Sequence, residues 1–202
     1  MKRTFIEAIE RRRSYYAISA AKSVSEEEIV HTIDRIMLAV PSAYNSQSTR
    51  IVVLFGIHHI CLWGIVKQAL SEIITAEAYI GTREKIDNYF AAGCGTVLFY
   101  EDMEVVESMK KQFPTYADKF EEYSAHTSAM HQFAIWTAIE ELGFGASLQH
   151  YNPLIDEAVA AQWDIAPHWR LVAQMPFGTP LSLPSEKTQH LPLSARRKVF
   201  SE

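Results

Sequence analysis

Four short stretches of this chain carry side chains suited to holding a ligand, and none of them pairs a nucleophile with a base. The first is Arg12, Arg13 and Ser14, which close an amphipathic N-terminal run. Guanidinium groups grip phosphate through forked, charge-assisted hydrogen bonds, and a neighbouring hydroxyl adds a directional one. The same arginines also suit a helix C-terminus, where positive charge offsets the helix dipole. The second stretch runs from Pro41 and Ser42 through Ala43, Asn45 and Gln47. A flat heteroaromatic ring whose edge alternates carbonyl and N–H groups needs amides and hydroxyls that both donate and accept. Asn45 and Gln47 meet that need, although such a loop also bonds readily to its own backbone. The third stretch, 143–150, is a glycine-rich turn ending in Gln149 and His150; glycine lets a ligand approach the backbone, and a helix cap before an edge strand explains it equally well. The fourth is the basic cluster Arg196, Arg197 and Lys198, a second phosphate anchor or a solvated tail.

The elements that must position these groups follow from hydrophobic spacing. Phe5, Ile6 and Ile9 recur at one-turn intervals, which predicts a helix over 3–13. Ser25 with Glu28 three residues on is a capping box for a second helix, with Ile29, Ile33, Met37 and Val40 as its buried stripe and Pro41 as its stop. The apolar run 51–56 suits a strand buried on both faces, as does 96–100. Helices are expected over 59–78, 82–91 and 103–112. The longest helical pattern, 115–142, shows a mixed face of Ala129, Phe133, Ala134, Thr137, Ala138 and Leu142, and Gly143 ends it as a left-handed cap. A strand near 146–149, a helix near 153–162 and a strand at 170–174 complete the pattern. From Met175 onward the chain is rich in proline and polar residues. A tail of that length is expected to cross onto a partner subunit and add a strand there.

A length of 202 residues with 48% apolar and 21% charged residues indicates one soluble α+β domain, 1–202, with a small central mixed sheet flanked by helices. The net charge of −5 argues against nucleic acid and anionic membrane as partners. The N-terminus has no apolar signal-peptide core, and no run of about 18 apolar residues occurs. Cys61 and Cys94 form no CxxC pair, which fits free thiols in a reducing cytoplasm. His58, His59 and Cys61 suggest a metal only at first sight, since adjacent helical histidines diverge and no further ligands match. His126 and His131 stand five apart, off the spacing that puts two ligands on one helical face. Neither a GxGxxG turn nor a GxxxxGK[ST] loop is present, which excludes the two commonest phosphate-cradling motifs.

The order of the four stretches resembles the nitroreductase family. The matching residues are Arg12, Arg13 and Ser14, then the loop Pro41, Ser42, Ala43, Asn45 and Gln47. Segments 41–50, 95–102, 143–151 and 191–200 look like the fatty-acid-repression-mutant subgroup of that family, so the likeness spans nearly the whole chain. The resemblance implies an FMN-dependent oxidoreductase of the cytoplasm that takes hydride from NAD(P)H and passes it to nitroaromatic or quinone-type acceptors. It implies a homodimer in which the N-terminal basic segment holds the flavin phosphate and ring edge, while the 41–47 loop reaches the flavin of the other subunit. Arg196 and Lys198 match the C-terminal phosphate-binding positions, and Gln149 and His150 fall beside the cofactor. Tyr16 replaces a basic residue usual two positions after the serine, and Lys85 is the candidate for a ring-edge contact. Because flavin carries the chemistry, no catalytic side chain is expected, and no metal. Arg13 is the candidate charge beside the reduced ring, and the helix over 115–142 is the candidate dimer interface.

Two other readings are compatible with the same residues. One is a flavin-binding regulatory protein of lipid or stress response with little turnover. The other is an interaction module that kept the fold and lost the site.

Overall fold

Local capping explains where the helices begin. In the computed structural model, which describes residues 4–184 and 190–201, Thr4 opens helix α1 (Phe5–Arg11). Its hydroxyl accepts the Glu7 N–H, and the Glu7 carboxylate accepts the Thr4 N–H at 2.7 Å, so two free donors are satisfied reciprocally. Ser25 caps α2 (Glu26–Ala39) by accepting the Glu28 N–H, and Pro41 follows its end. The remaining helices are α3 (Gly56–Ser71), α4 (Ala76–Lys85), α5 (Met103–Gln112), α6 (Phe120–Glu141) and α7 (Asp156–Trp163). A π-turn over Ile86–Phe90 continues α4, and a 3₁₀ segment over Pro114–Lys119 precedes α6. The long pattern over 115–142 is thus two pieces, and the 59–78 pattern breaks after Ser71.

Among the described residues five strands form the sheet: β1 (Ile18–Ser19), β2 (Thr49–Phe55), β3 (Gly95–Asp102), β4 (Gly145–Ala146) and β5 (Trp169–Pro180). Their order is β1-β5-β3-β2, with β4 also paired to β5. Every ladder is antiparallel; the mixed character expected of the sheet reduces to one isolated parallel bridge, Ser14 to Ala146. The expected strand at 146–149 is β4 plus a single bridge from Gln149 to Gln174. Strand β5 corrects the sequence expectation most. Met175 to Pro180, read as the start of a tail, is the buried continuation of the central strand, with β3 on one side and β4 and β1 on the other. Prolines argue against a central strand, and here neighbours on both edges override that local signal.

Strand β3 is buried at every position because it faces two cores. Val97 and Phe99 pack with Ile29, Ile33, Ile135 and Ile139 of α2 and α6. Leu98 and Tyr100, one residue out of phase, pack with Leu62, Trp63 and Val66 of α3 and with Val159 of α7. Helix α1 buries nothing: Phe5 and Ile6 are exposed, as are Leu38 of α2 and Met130 and Phe133 of α6. Of the mixed face predicted on α6, Ala129 and Phe133 are open, whereas Thr137 is buried.

His59 is a core residue. Its Nε2–H donates to the Ala91 carbonyl, its Nδ1 accepts from the Thr96 hydroxyl at 2.8 Å, and Trp63 Nε1–H donates to the same hydroxyl oxygen. Burial pushes its pKa down to about 4, outweighing the hydrogen bond to Ala91. The folded state therefore excludes a proton that the unfolded chain binds below about 6.5. Stability from this group is present above pH 6.5 and is lost as pH falls towards 4, by an amount on the order of 3 kcal/mol. Melting curves between pH 7 and 4.5 are expected to show that loss, and His59→Gln is expected to remove most of the slope while lowering stability at pH 7. An unchanged slope in the variant would assign acid sensitivity elsewhere.

Candidate functional site

The arginine segment leaves α1 and runs along β4. Ser14 bridges Ala146, and the Tyr15 N–H donates to the Ala146 carbonyl at 2.9 Å. Gly145 is required here, because a Cβ on it would lie 2.5 Å from the Tyr15 ring. The two arginines then diverge. Arg13 turns back on the helix it ends: its Nη1 donates to the carbonyls of Glu10 at 3.0 Å and Arg12 at 3.1 Å, and its own N–H donates to both Glu140 oxygens at 3.1 and 3.0 Å. Arg12 lays its guanidinium over the Trp136 ring, 4.2 Å from the centroid.

Arg12 Nε and Nη1 and Arg13 Nε are buried without a hydrogen-bond partner among the described residues. Buried donors left unpaired cost about 1–3 kcal/mol each, more when charged, so these three call for an acceptor that the described residues do not supply. A phosphate fits that donor set, with the Ser14 hydroxyl nearby in sequence. Glu140 stands beside it, its carboxyl pushed up to about 7 by burial against the opposing pull of the Arg13 N–H and of the Arg12 and Arg13 charges. Tyr16 is exposed and sets its ring edge against Tyr89, 6.2 Å between centroids. Together with Ser14 and Ala17 these tyrosines line a cavity of about 260 Å³.

The amide loop is held in a strained shape. Tyr44, Asn45 and Gln47 all have left-handed φ, at 55°, 53° and 51°. Such conformations cost on the order of 1–3 kcal/mol each for non-glycine residues and persist only where the surroundings impose them. Here Ser42 Oγ accepts the Gln47 N–H, Gln47 Nε2 donates to Asn45 Oδ1, and the Tyr44 ring packs on Phe113 at 4.5 Å and Phe120 at 5.5 Å. Arg50 Nη1 donates to the Gln47 carbonyl at 2.6 Å while its Nη2 binds Asp102 at 2.8 Å. Beneath the loop, Glu101 is fully buried and accepts hydroxyls from Ser48, Thr49 and Ser124, each at 2.6 Å. Ser42, Gln47, Thr49 and Arg50 share a cavity of about 190 Å³ with buried His131, whose Nδ1–H donates to the Thr127 carbonyl. His126, by contrast, is exposed.

The structure brings some predicted residues together and separates others. Gln149 exchanges backbone bonds with Gln174 and donates its side chain to Ser147, while His150 is exposed. Pro41, Ser42, Ala43, Asn45 and Gln47 gather at the start of β2, and Thr49 pairs across β3 with Glu101, which pairs with Arg170. Arg12, Arg13 and Ser14 gather at β4, opposite Phe177. Seven residues along β5 and three strand spacings separate those corners, about 25 Å at ordinary sheet dimensions. Arg196 and Lys198 are exposed on a tail whose other large apolar groups, Leu191, Leu193, Val199 and Phe200, are exposed too. Lys85 ends α4, with its ammonium 5.8 Å from the Phe90 ring centre.

Sequence reasoning missed Trp136, Glu140, Tyr89 and the Glu101 network. Glu140 follows Arg13 by 127 positions, and nothing local marks it. The pair Glu101-Asp102 at the end of an apolar strand was the one readable signal. Among the described residues no group of three or more His, Cys, Asp or Glu side chains is placed to hold a metal, and no helix is long and apolar enough to cross a membrane.

Comparison with known proteins agrees with this architecture. The model of the nitroreductase family matches residues 9–179. Nitroreductase FRM2 of Saccharomyces cerevisiae is 34% identical over 186 residues, 91% of this chain and 92% of its own. The solved structure of nitroreductase CinD from Lactococcus lactis in complex with chloramphenicol is 39% identical and superimposes with a TM-score of 0.85, covering 98% of this chain and 100% of that one. A Desulfovibrio desulfuricans chain solved in complex with FMN shares the fold at a TM-score of 0.70 and 18% identity, covering all of both chains. With its antiparallel sheet, its arginine-serine segment on β4 and its amide loop before β2, the chain belongs to the nitroreductase family of oxidoreductases.

Proposed function

We propose that the protein is an FMN-dependent oxidoreductase acting as a two-fold homodimer, with NADH or NADPH as hydride donor and a nitroaromatic or quinone as acceptor. The observation that carries this reading is the pair of incomplete half-sites at opposite corners of one chain: unpaired buried guanidinium donors at Arg12, and a strained amide loop at Asn45 and Gln47. An isologous dimer supplies the missing half to each, twice over. Exposed Leu38, Met130 and Phe133, with Phe5 and Ile6 of α1, are the apolar surface such a dimer covers. The ligands bound by two similar proteins point the same way: chloramphenicol, itself a nitroaromatic, in one and FMN in the other.

When bound, FMN supplies the reversible hydride chemistry. The chain's own residues position it. Arg12 and Ser14 hold the phosphate, with Arg196 and Lys198 adding positive charge from the tail. Asn45 and Gln47 address the ring edge of the partner's flavin. Arg13, tied to the end of α1, holds a fixed charge near the ring edge of its own subunit's flavin, and Tyr16 stands where a basic group is usual. Gln149, bonded to Gln174 and Ser147, and exposed His150 follow β4 and complete the set. Two free cysteines, Cys61 and Cys94, fit a cytoplasmic setting.

The absorption spectrum of the purified protein, followed anaerobically with NADH and then NADPH, tests this. Flavin bands that bleach with either donor, and recover when a nitroaromatic or quinone is added, are expected. A protein that is colourless and takes up no added FMN would sink the reading.

A further inference from the structure

The cavity beside the unpaired Arg12 guanidinium also holds an acid. About 210 Å³ in volume, it is lined by Arg11, Arg12, Tyr15, Glu140 and Glu141 among others. Glu140 spends both oxygens on the Arg13 N–H, while Arg12 Nε and Nη1 stay without an acceptor. We propose that Glu140 couples phosphate binding at Arg12 to the uptake of one proton, so that the site takes in its anion and H⁺ together. This rests on the flavin-phosphate reading above and adds a linked ligand to it.

The argument is one of charge in a confined space. A phosphate monoester brought to Arg12 places up to two negative charges in the cavity that contains the Glu140 carboxylate. Like charges in a partly desolvated site favour protonating one of them. Glu140 is already poised for that, since burial holds its carboxyl at about 7. Once neutral, it keeps a carbonyl oxygen for the Arg13 N–H and gains an O–H that donates to an anion. The other charged groups facing it do not take this role. Arg11, Arg12 and Arg13, from the end of α1, are cations and have no site for a further proton. Tyr15, from the segment that follows, has its hydroxyl pushed up by burial and by Glu140 itself, so it stays neutral. Glu141, next along α6, is exposed.

The sign follows. Below about pH 6, Glu140 is protonated with or without ligand, and no proton moves. Above pH 7 the free protein has lost that proton and must regain it on binding, so affinity falls as pH rises. The second ionisation of a phosphate monoester lies near 6 and is complete at pH 8. Uptake at pH 8 therefore reports the protein.

Calorimetric titration of the apoprotein with FMN, in two buffers of different ionisation enthalpy, measures this directly. At pH 8 wild type is expected to take up about half a proton with FMN and none with riboflavin, which lacks the phosphate. Its FMN affinity is expected to fall about tenfold from pH 6.5 to 8.5, against less than about twofold in Glu140→Gln, which takes up no proton. Equal uptake in wild type and variant, or equal uptake with FMN and riboflavin, overturns the proposal. If the glutamine variant fails to fold by circular dichroism, the wild-type comparison of FMN with riboflavin decides alone. FMN binding without proton uptake removes the coupling and leaves the flavin reading intact; no binding of FMN at all removes both.

Discussion

A heterodimer that joins an Arg12→Ala subunit to an Asn45→Ala/Gln47→Ala subunit is expected to bind one FMN with wild-type affinity, although neither variant's homodimer does so. In each homodimer both sites carry the same defect. In the heterodimer one site combines both defects, and the other combines the intact Arg12 of one subunit with the intact loop of its partner. Removing a charged phosphate contact of about 1.5–3 kcal/mol should weaken FMN binding in the Arg12→Ala homodimer by roughly 10–100-fold. Subunits carrying two different affinity tags, coexpressed and purified through both, isolate the heterodimer, and flavin fluorescence quenching counts its sites. One tight site per dimer establishes that the halves come from different chains. No tight site would mean that Arg12, Asn45 and Gln47 serve one subunit's cofactor. The about 25 Å between the corners carrying Ala146 and Thr49 within one chain makes that second outcome hard to build.

The second large effect is expected at Glu101. This carboxylate has no exposed surface and accepts three hydroxyls from three elements: Ser48 before β2, Thr49 within it and Ser124 of α6. Glu101→Ala leaves three buried hydroxyls without their acceptor and opens a cavity between sheet and helix. Even if one hydroxyl finds a new partner, a loss of about 3–5 kcal/mol is expected, a large share of the stability of an ordinary domain. For a chain of this size that corresponds to a fall in melting temperature on the order of 10 °C. Glu101→Gln, which keeps an acceptor oxygen, should lose less than half as much. Differential scanning calorimetry of the two variants separates a structural carboxylate from a dispensable one, and an alanine variant that melts within about 2 °C of wild type would refute the assignment. The loop carrying Asn45 and Gln47 is anchored to the same place through Ser48 and Arg50, so flavin affinity should weaken in Glu101→Ala even below its melting transition.

Much of this molecule was legible in its residues, and the parts that were share one physical trait. Helix α2 could be read because its cap, stripe and stop lie within seventeen positions, Ser25 to Pro41. Strand β3 could be read because a strand with cores on both faces must be apolar throughout. The arginine-serine segment and the amide loop could be named because their chemistry is written in consecutive side chains. The side chains alone leave Arg12 and Arg13 one basic pair, to which only the family resemblance gave separate roles; in the fold Arg13 caps a helix while Arg12 stacks on Trp136.

What only the tertiary structure decided are the relations between distant segments. The run from Met175 to Pro180 reads locally as a proline-rich tail, yet it is central strand because β3, β4 and β1 satisfy it from both edges. Glu140 reads as a polar residue near a helix end, and becomes a carboxyl held at about 7 only through burial in the fold, against the downward pull of Arg13, 127 positions away. The two halves of the site look adjacent in a list of motifs and lie at opposite corners of the sheet. Periodicity and capping are local properties, set within a few turns of chain, so the sequence by itself determined the elements and the kinds of group they carry. Burial, pairing and the field at a carboxyl depend on which segments meet, and that was decided only by the fold.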